Sequence, residues 1–156
     1  MKRFAIIAGL AIAATLPLGA IADDQHIVAP ADSLKWGPAS PALPKGAQMA
    51  VLFGDPTKEG QFAYRVKFPA GYKVPAHMHH PNDENVTVLS GTAYIGTGDK
   101  LDETKGEAVK AGGFLHMPKG MPHYAWFTEE TIIQSNGVGP TGITYINPAD
   151  DPRKTN

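Results

Sequence analysis

The residues best suited to chemistry lie between Gly71 and Gly91, in GYKVPAHMHHPNDENVTVLSG. His77 and His79 are two apart, and Glu84 follows five residues later. Side chains alternate faces along a strand, so two imidazoles at this spacing point the same way, with Met78 and His80 opposite. Pro81-Asn82-Asp83 reads as a turn that brings the carboxylate back toward them. The best candidate for a fourth ligand is His123, in Gly112–Phe127. Three neutral imidazoles and one carboxylate on a rigid wall would hold one divalent transition metal and leave positions for water, substrate or dioxygen. The chain has no cysteine, so thiolate ligands are excluded, and the N/O set accepts Fe, Mn, Co, Ni, Cu or Zn.

Other polar residues invite weighing against this set. His80 has the wrong parity for the metal face, and Asp83 reads as a turn residue. His116 shares a face with Phe114, beside the segment of His123. It is either a packed, hydrogen-bonded histidine or an acid/base group whose titration range suits proton transfer. Tyr64 and Arg65 fall on opposite faces of one strand, so only one can reach a cavity. Tyr64, on the apolar face, is the second catalytic candidate. His26 reads as solvated. If His123 faces the metal, Ala125 and Phe127 share its face, and Phe127 supplies an aromatic wall that favours a partly apolar ligand.

Taken together, these segments resemble the two motifs of the cupin family. The first motif is matched by Gly71, His77, His79, Glu84 and Gly91 at the family's spacing, the second by Gly112, Pro118, Gly120 and His123. The family usually has Asn four residues after the last His, where this chain has Phe127. The resemblance implies a jelly-roll barrel, a metal on His77, His79, Glu84 and His123, and a homodimer. It implies dioxygenase-like oxidation of a small molecule in the barrel cavity as the leading activity. A metal-dependent isomerase, hydrolase or lyase, or a cupin that binds and senses a metal or metabolite without turnover, fits the same ligands.

The elements that must position these residues are short strands. Phe62, Tyr64, Val66 and Phe68 alternate with Gln61, Ala63, Arg65 and Lys67, the pattern of a half-buried strand. Further strands are expected at 47–54, 84–90, 93–96, 107–110, 113–117, 122–128, 131–136 and 141–146, with turn residues between them. After residue 22 no stretch keeps a helical period over three turns. The pattern predicts an all-β, antiparallel double-sheet jelly-roll over 47–147. The Pro- and Ala-rich residues 23–46 read as an extended arm, with Leu34 and Trp36 on one face of an extended 32–36. Trp36 would plug the barrel's outside or one end, or the arm would add an edge strand. Residues 148–156 read as a surface strap or frayed tail.

Residues 1–22 have the layout of a secretory signal peptide: Lys2-Arg3, an apolar run from Phe4 to Leu16, and a small-x-small site at Ala20-Ile21-Ala22. The run is short for a spanning helix. Cleavage after Ala22 predicts a periplasmic or secreted protein of 134 residues, whose net charge moves from −1 to −3 on losing Lys2 and Arg3. No Lys/Arg cluster points to nucleic acid or an anionic membrane, and the absence of cysteine excludes disulfides.

Overall fold

The computed structural model describes residues 26–154; the expected signal peptide and its cleavage point lie outside them. Eleven strands follow in chain order: β1 Gly37–Pro38, β2 Gln48–Phe53, β3 Gly60–Phe68, β4 Lys73–His79, β5 Glu84–Ser90 and β6 Thr92–Thr97. They continue with β7 Glu107–Lys110, β8 Phe114–Met117, β9 His123–Trp126, β10 Thr131–Gly139 and β11 Ile143–Tyr145. The strands form one sheet of order β1-β2-β3-β10-β5-β8 and a second of order β11-β4-β9-β6-β7. Every pairing is antiparallel. This is a jelly-roll of two facing sheets, not closed into one continuous ladder. No helix among the described residues is long and apolar enough to cross a membrane.

The core lies between the sheets, and strand parity decides which side chains enter it. Val66 and Phe68 of β3, Val86 and Val88 of β5 and Ile133 of β10 come from one sheet; Val74, Ala93 and Ala125 come from the other. Burial of these side chains is what fixes register, because a one-residue slip would turn each strand inside out. On the outer face of the second sheet, Tyr124 and Trp126 are buried as well. They pack with Ala76, Tyr94, Leu101 and Ile146 in a smaller cluster. β9 is therefore covered on both sides, which holds the strand that starts with His123.

β4 and β9 shift register between Val74 and His77. Pro75 sits in that interval and has no N–H to give the ladder, which accounts for the irregularity. Gly91, between β5 and β6, has φ +72, and a Cβ built there would lie 2.5 Å from the Glu130 carbonyl oxygen. Left-handed backbone costs a non-glycine residue about 1–2 kcal/mol and overpacking adds about 1–3. Gly91→Ala is expected to lose about 3 kcal/mol in urea denaturation; an unchanged midpoint would show that the turn relaxes freely.

The two chain ends depart from the expected picture. Ala31–Ser33 is a 3-10 turn, closed by Ser33 N and Oγ donating to the Pro30 carbonyl, so 32–36 is not extended throughout. The arm does add an edge strand to its own sheet, but as β1, through Gly37 opposite Met49 and Pro38 opposite Gln48. Trp36 packs on the outside, with Lys67 Nζ 4.7 Å from its ring centre. Farther on, the arm is tied to the sheets by Tyr72 Oη donating to the Pro44 carbonyl and Tyr145 Oη to that of Ala42 (2.7 Å). In the tail, Pro148–Asp150 forms a 3-10 turn capped by the Asn147 side chain.

Candidate metal centre

Three elements deliver the four polar side chains. His77 and His79 lie on β4, and His123, first residue of β9, is directly opposite His77 in the ladder. Glu84 begins β5 in the facing sheet, so the chain between His79 and Glu84 crosses from one sheet to the other. The three imidazoles are buried, and one ring nitrogen from each lies within 4.8 Å of the others. Glu84 Oε2 is 3.3 Å from His79 Nε2 and 3.6 Å from His123 Nε2.

The ring orientations follow from hydrogen bonds to backbone carbonyls. Nδ1 of His77 faces the Pro75 oxygen at 2.8 Å, that of His123 faces Met121 at 2.9 Å, and that of His79 faces Gly142 at 3.1 Å. A carbonyl only accepts, so each Nδ1 carries the proton. In a neutral imidazole this leaves the Nε2 lone pair free to bind a metal. The same outer contact holds metal-ligating histidines in place. His79 Nε2 is buried with no hydrogen-bond partner, although Glu84 Oε2 lies 3.3 Å away. A buried polar atom left unpaired is costly, and a divalent ion among the four side chains would satisfy it. The residues fit a metal.

Electrostatics in the metal-free protein agree with this reading. Burial, then the neighbouring His123 and His79, push His77 down to about 3, so it stays neutral. Burial also pushes His79 down, but the Glu84 carboxylate beside it more than offsets that and raises it. Burial would raise Glu84, yet His79 and His123 outweigh it and hold the carboxyl below the usual range. The Glu84 carboxylate is thus held charged beside the imidazoles, as a cation between them would require.

The four candidate ligands line one end of a cavity of about 210 Å³. Its walls are apolar, with Val66, Phe68, Val86, Leu115, Phe127 and Ile133 among them. Phe127 stacks on Phe68 with centroids 4.1 Å apart, which secures the aromatic wall where the family motif has an amide. Tyr64 also lines the cavity, and its phenol is pushed up to about 12, chiefly by burial and then by Glu84. It remains protonated. Ser40, Leu43 and Arg153 line both this cavity and a surface groove between the arm and the tail, so they form the partition between the two.

His116 does not join the site. It is exposed on the outer face of β8, where Nδ1 is 2.9 Å from Asn85 Oδ1 and Nε2 4.0 Å from Asp83. Leu115 is the β8 residue that lines the cavity, and Phe114 is 61% exposed, so the acid/base role considered for His116 is corrected. His80 is exposed and contacts Met78 Sδ. Asp83 accepts from Lys119 N and serves the turn. Arg65 points away from the cavity, its Nε donating to Gln134 Oε1. Residue types alone could not reveal the carbonyls of Pro75, Met121 and Gly142.

Residues 64–133 match the Cupin domain family model. That stretch, which holds both histidine motifs, is a cupin domain. The RemF polyketide cyclase of Streptomyces resistomycificus superposes with a TM-score of 0.68 at 15% identity, covering 82% of this cupin and 90% of that chain. A candidate acetylacetone dioxygenase from Methylibium petroleiphilum gives 0.61 at 18% identity, covering 84% and 88%. KdgF from Halomonas gives 0.55 at 18%, covering 73% and 94%. These likenesses establish the fold. Comparison with curated proteins finds no match.

Proposed function

We propose that this cupin is an exported metalloenzyme that acts on a small, largely apolar molecule bearing an oxygen function at one end, with dioxygenase-like oxidation as the leading class. The observation that carries the reading is the convergence of three carbonyl-fixed histidines and Glu84 at one end of an apolar cavity. A metal held by His77, His79, Glu84 and His123 supplies a Lewis acid and, where it is iron, manganese or copper, a redox centre. The protein's own contribution is to shape and dry the chamber. Phe68 and Phe127 exclude water and bind the apolar body, which strengthens polar interactions at the far end. Tyr64 holds a proton beside Glu84 and can donate a hydrogen bond to an oxyanion forming on the substrate.

The fold serves oxidative and non-oxidative chemistry alike, as the dioxygenase and cyclase names of its structural neighbours illustrate, so the reaction must be read from the site. The test begins with elemental analysis of native protein taken from its exported compartment. Oxygen uptake and product formation are then followed with small ketones, enols and phenols. Tyr64→Phe is expected to keep full metal content and lose about 10²-fold or more in kcat. Unchanged kcat would remove Tyr64 from the chemistry. Tight binding of metal and small molecule without any turnover would replace the enzyme reading with that of a binding and sensing cupin.

A further inference from the structure

Of the three metal-facing histidines, two are oriented by their own strands. His77 and His123 each bond the carbonyl two residues before them. His79 instead bonds Gly142, 63 residues away, so its ring angle depends on where another segment is placed. That segment leads into β11, three residues long, at the edge of its sheet and paired only with β4 among the described residues. Ile143, its first residue, stands opposite His79 in the ladder. A strand this short needs anchoring from outside.

The tail supplies an anchor. Both Asp151 oxygens grip Arg153, at 2.7 Å from Nε and 2.8 Å from Nη2, and Asp151 Oδ1 also accepts the Arg153 N–H at 3.1 Å. Asp151 is buried. The same Nη2 donates to the Ile143 carbonyl at 3.0 Å. A bidentate fork fixes the guanidinium plane as well as its position. An unbroken chain of contacts therefore runs from Asp151 through Arg153 to Ile143, then by the adjacent Gly142 carbonyl to His79 Nδ1. We infer that the Asp151–Arg153 clasp is a positioning device for the metal ligand His79, reaching the site through β11. The inference rests on the proposed metal site and names a part of the chain that tunes it. Outer partners of metal-bound histidines typically change affinity 10–100-fold when lost, and Arg153 acts one step farther out than Gly142.

Cobalt(II) is the probe, added to metal-free full chain, with affinity and visible absorption as readouts. Arg153→Ala is expected to weaken cobalt about tenfold and alter its absorption bands. Arg153→Lys, which keeps the charge but not the fork, should recover only part of both. Melting of the metal-free proteins is followed in parallel, with Lys58→Ala, which breaks the exposed pair with Asp55, as a surface control. Wild-type affinity and spectrum in Arg153→Ala would overturn the inference. If that variant does not fold, Asp151→Asn carries the same test, and unchanged cobalt binding again overturns it. Wild-type protein that binds no cobalt would instead refute the metal site itself.

Discussion

His123→Ala is expected to leave a folded protein that has lost more than about a hundredfold in metal affinity, so that dialysed samples hold only trace metal. Removing an outer partner of a metal-bound histidine already costs 10–100-fold, and removing the ligand must cost more. The loss should be specific for geometric reasons. His123 stands opposite His77 across one rung of the ladder, and its Nε2 lies 3.6 Å from Glu84. No neighbour on its side of the segment can replace it, because Ala125 of β9 and Phe127 just after it line the cavity and neither carries a donor. His80→Ala and His116→Ala serve as controls, since both imidazoles are exposed on outer faces. Elemental analysis after dialysis decides the matter. Stoichiometric metal retained in His123→Ala would sink the four-residue site, and metal lost from the His80 variant would relocate it.

Much of this arrangement was legible in the sequence because a half-buried sheet writes a period of two. The alternation Phe62, Tyr64, Val66, Phe68 located a strand that runs Gly60–Phe68, and the HxH spacing placed two imidazoles on one face. What failed did so for identifiable reasons. In β8 the shared face of Phe114 and His116 was read correctly, but its direction was inverted. A four-residue strand with apolar side chains on both faces has no majority face, and only pairing with β5 shows that Leu115 is inside. β1 is two residues long and carries no periodicity at all. The preceding turn is set by local bonds to Pro30. The tail's role depends on a contact between residues 143 and 153 that no spacing rule links to position 79.

Proton competition gives the second large effect, and His79 is the group that matters. Glu84 raises His79 above its ordinary 6.5, whereas His77, held near 3, is already neutral at working pH. Metal must displace the His79 proton, so affinity is expected to fall about tenfold per pH unit below the His79 pKa and to level off above it. Stability of the metal-free protein follows with one sign for His79 and the opposite sign for Glu84 and His77. In the metal-free protein the protonated His79 contributes stability that is full below 6.5 and is lost as pH rises through its folded value. Glu84 contributes above its ordinary 4.5, and loses that contribution as pH falls through its depressed folded value. His77, buried neutral, costs stability increasingly as pH falls from 6.5 toward about 3. The melting increment that metal confers should therefore widen as pH rises toward the folded value of His79, which lies above 6.5, because the proton it displaces becomes easier to remove. Glu84→Gln separates the charge from the rest of the site. It removes the influence that raises His79, so the break in the affinity profile should move to lower pH even as the plateau affinity drops. Calorimetric titration across that rise checks both parts: a flat profile, or a break left in place by Glu84→Gln, would show that the carboxylate and His79 do not act as a coupled pair.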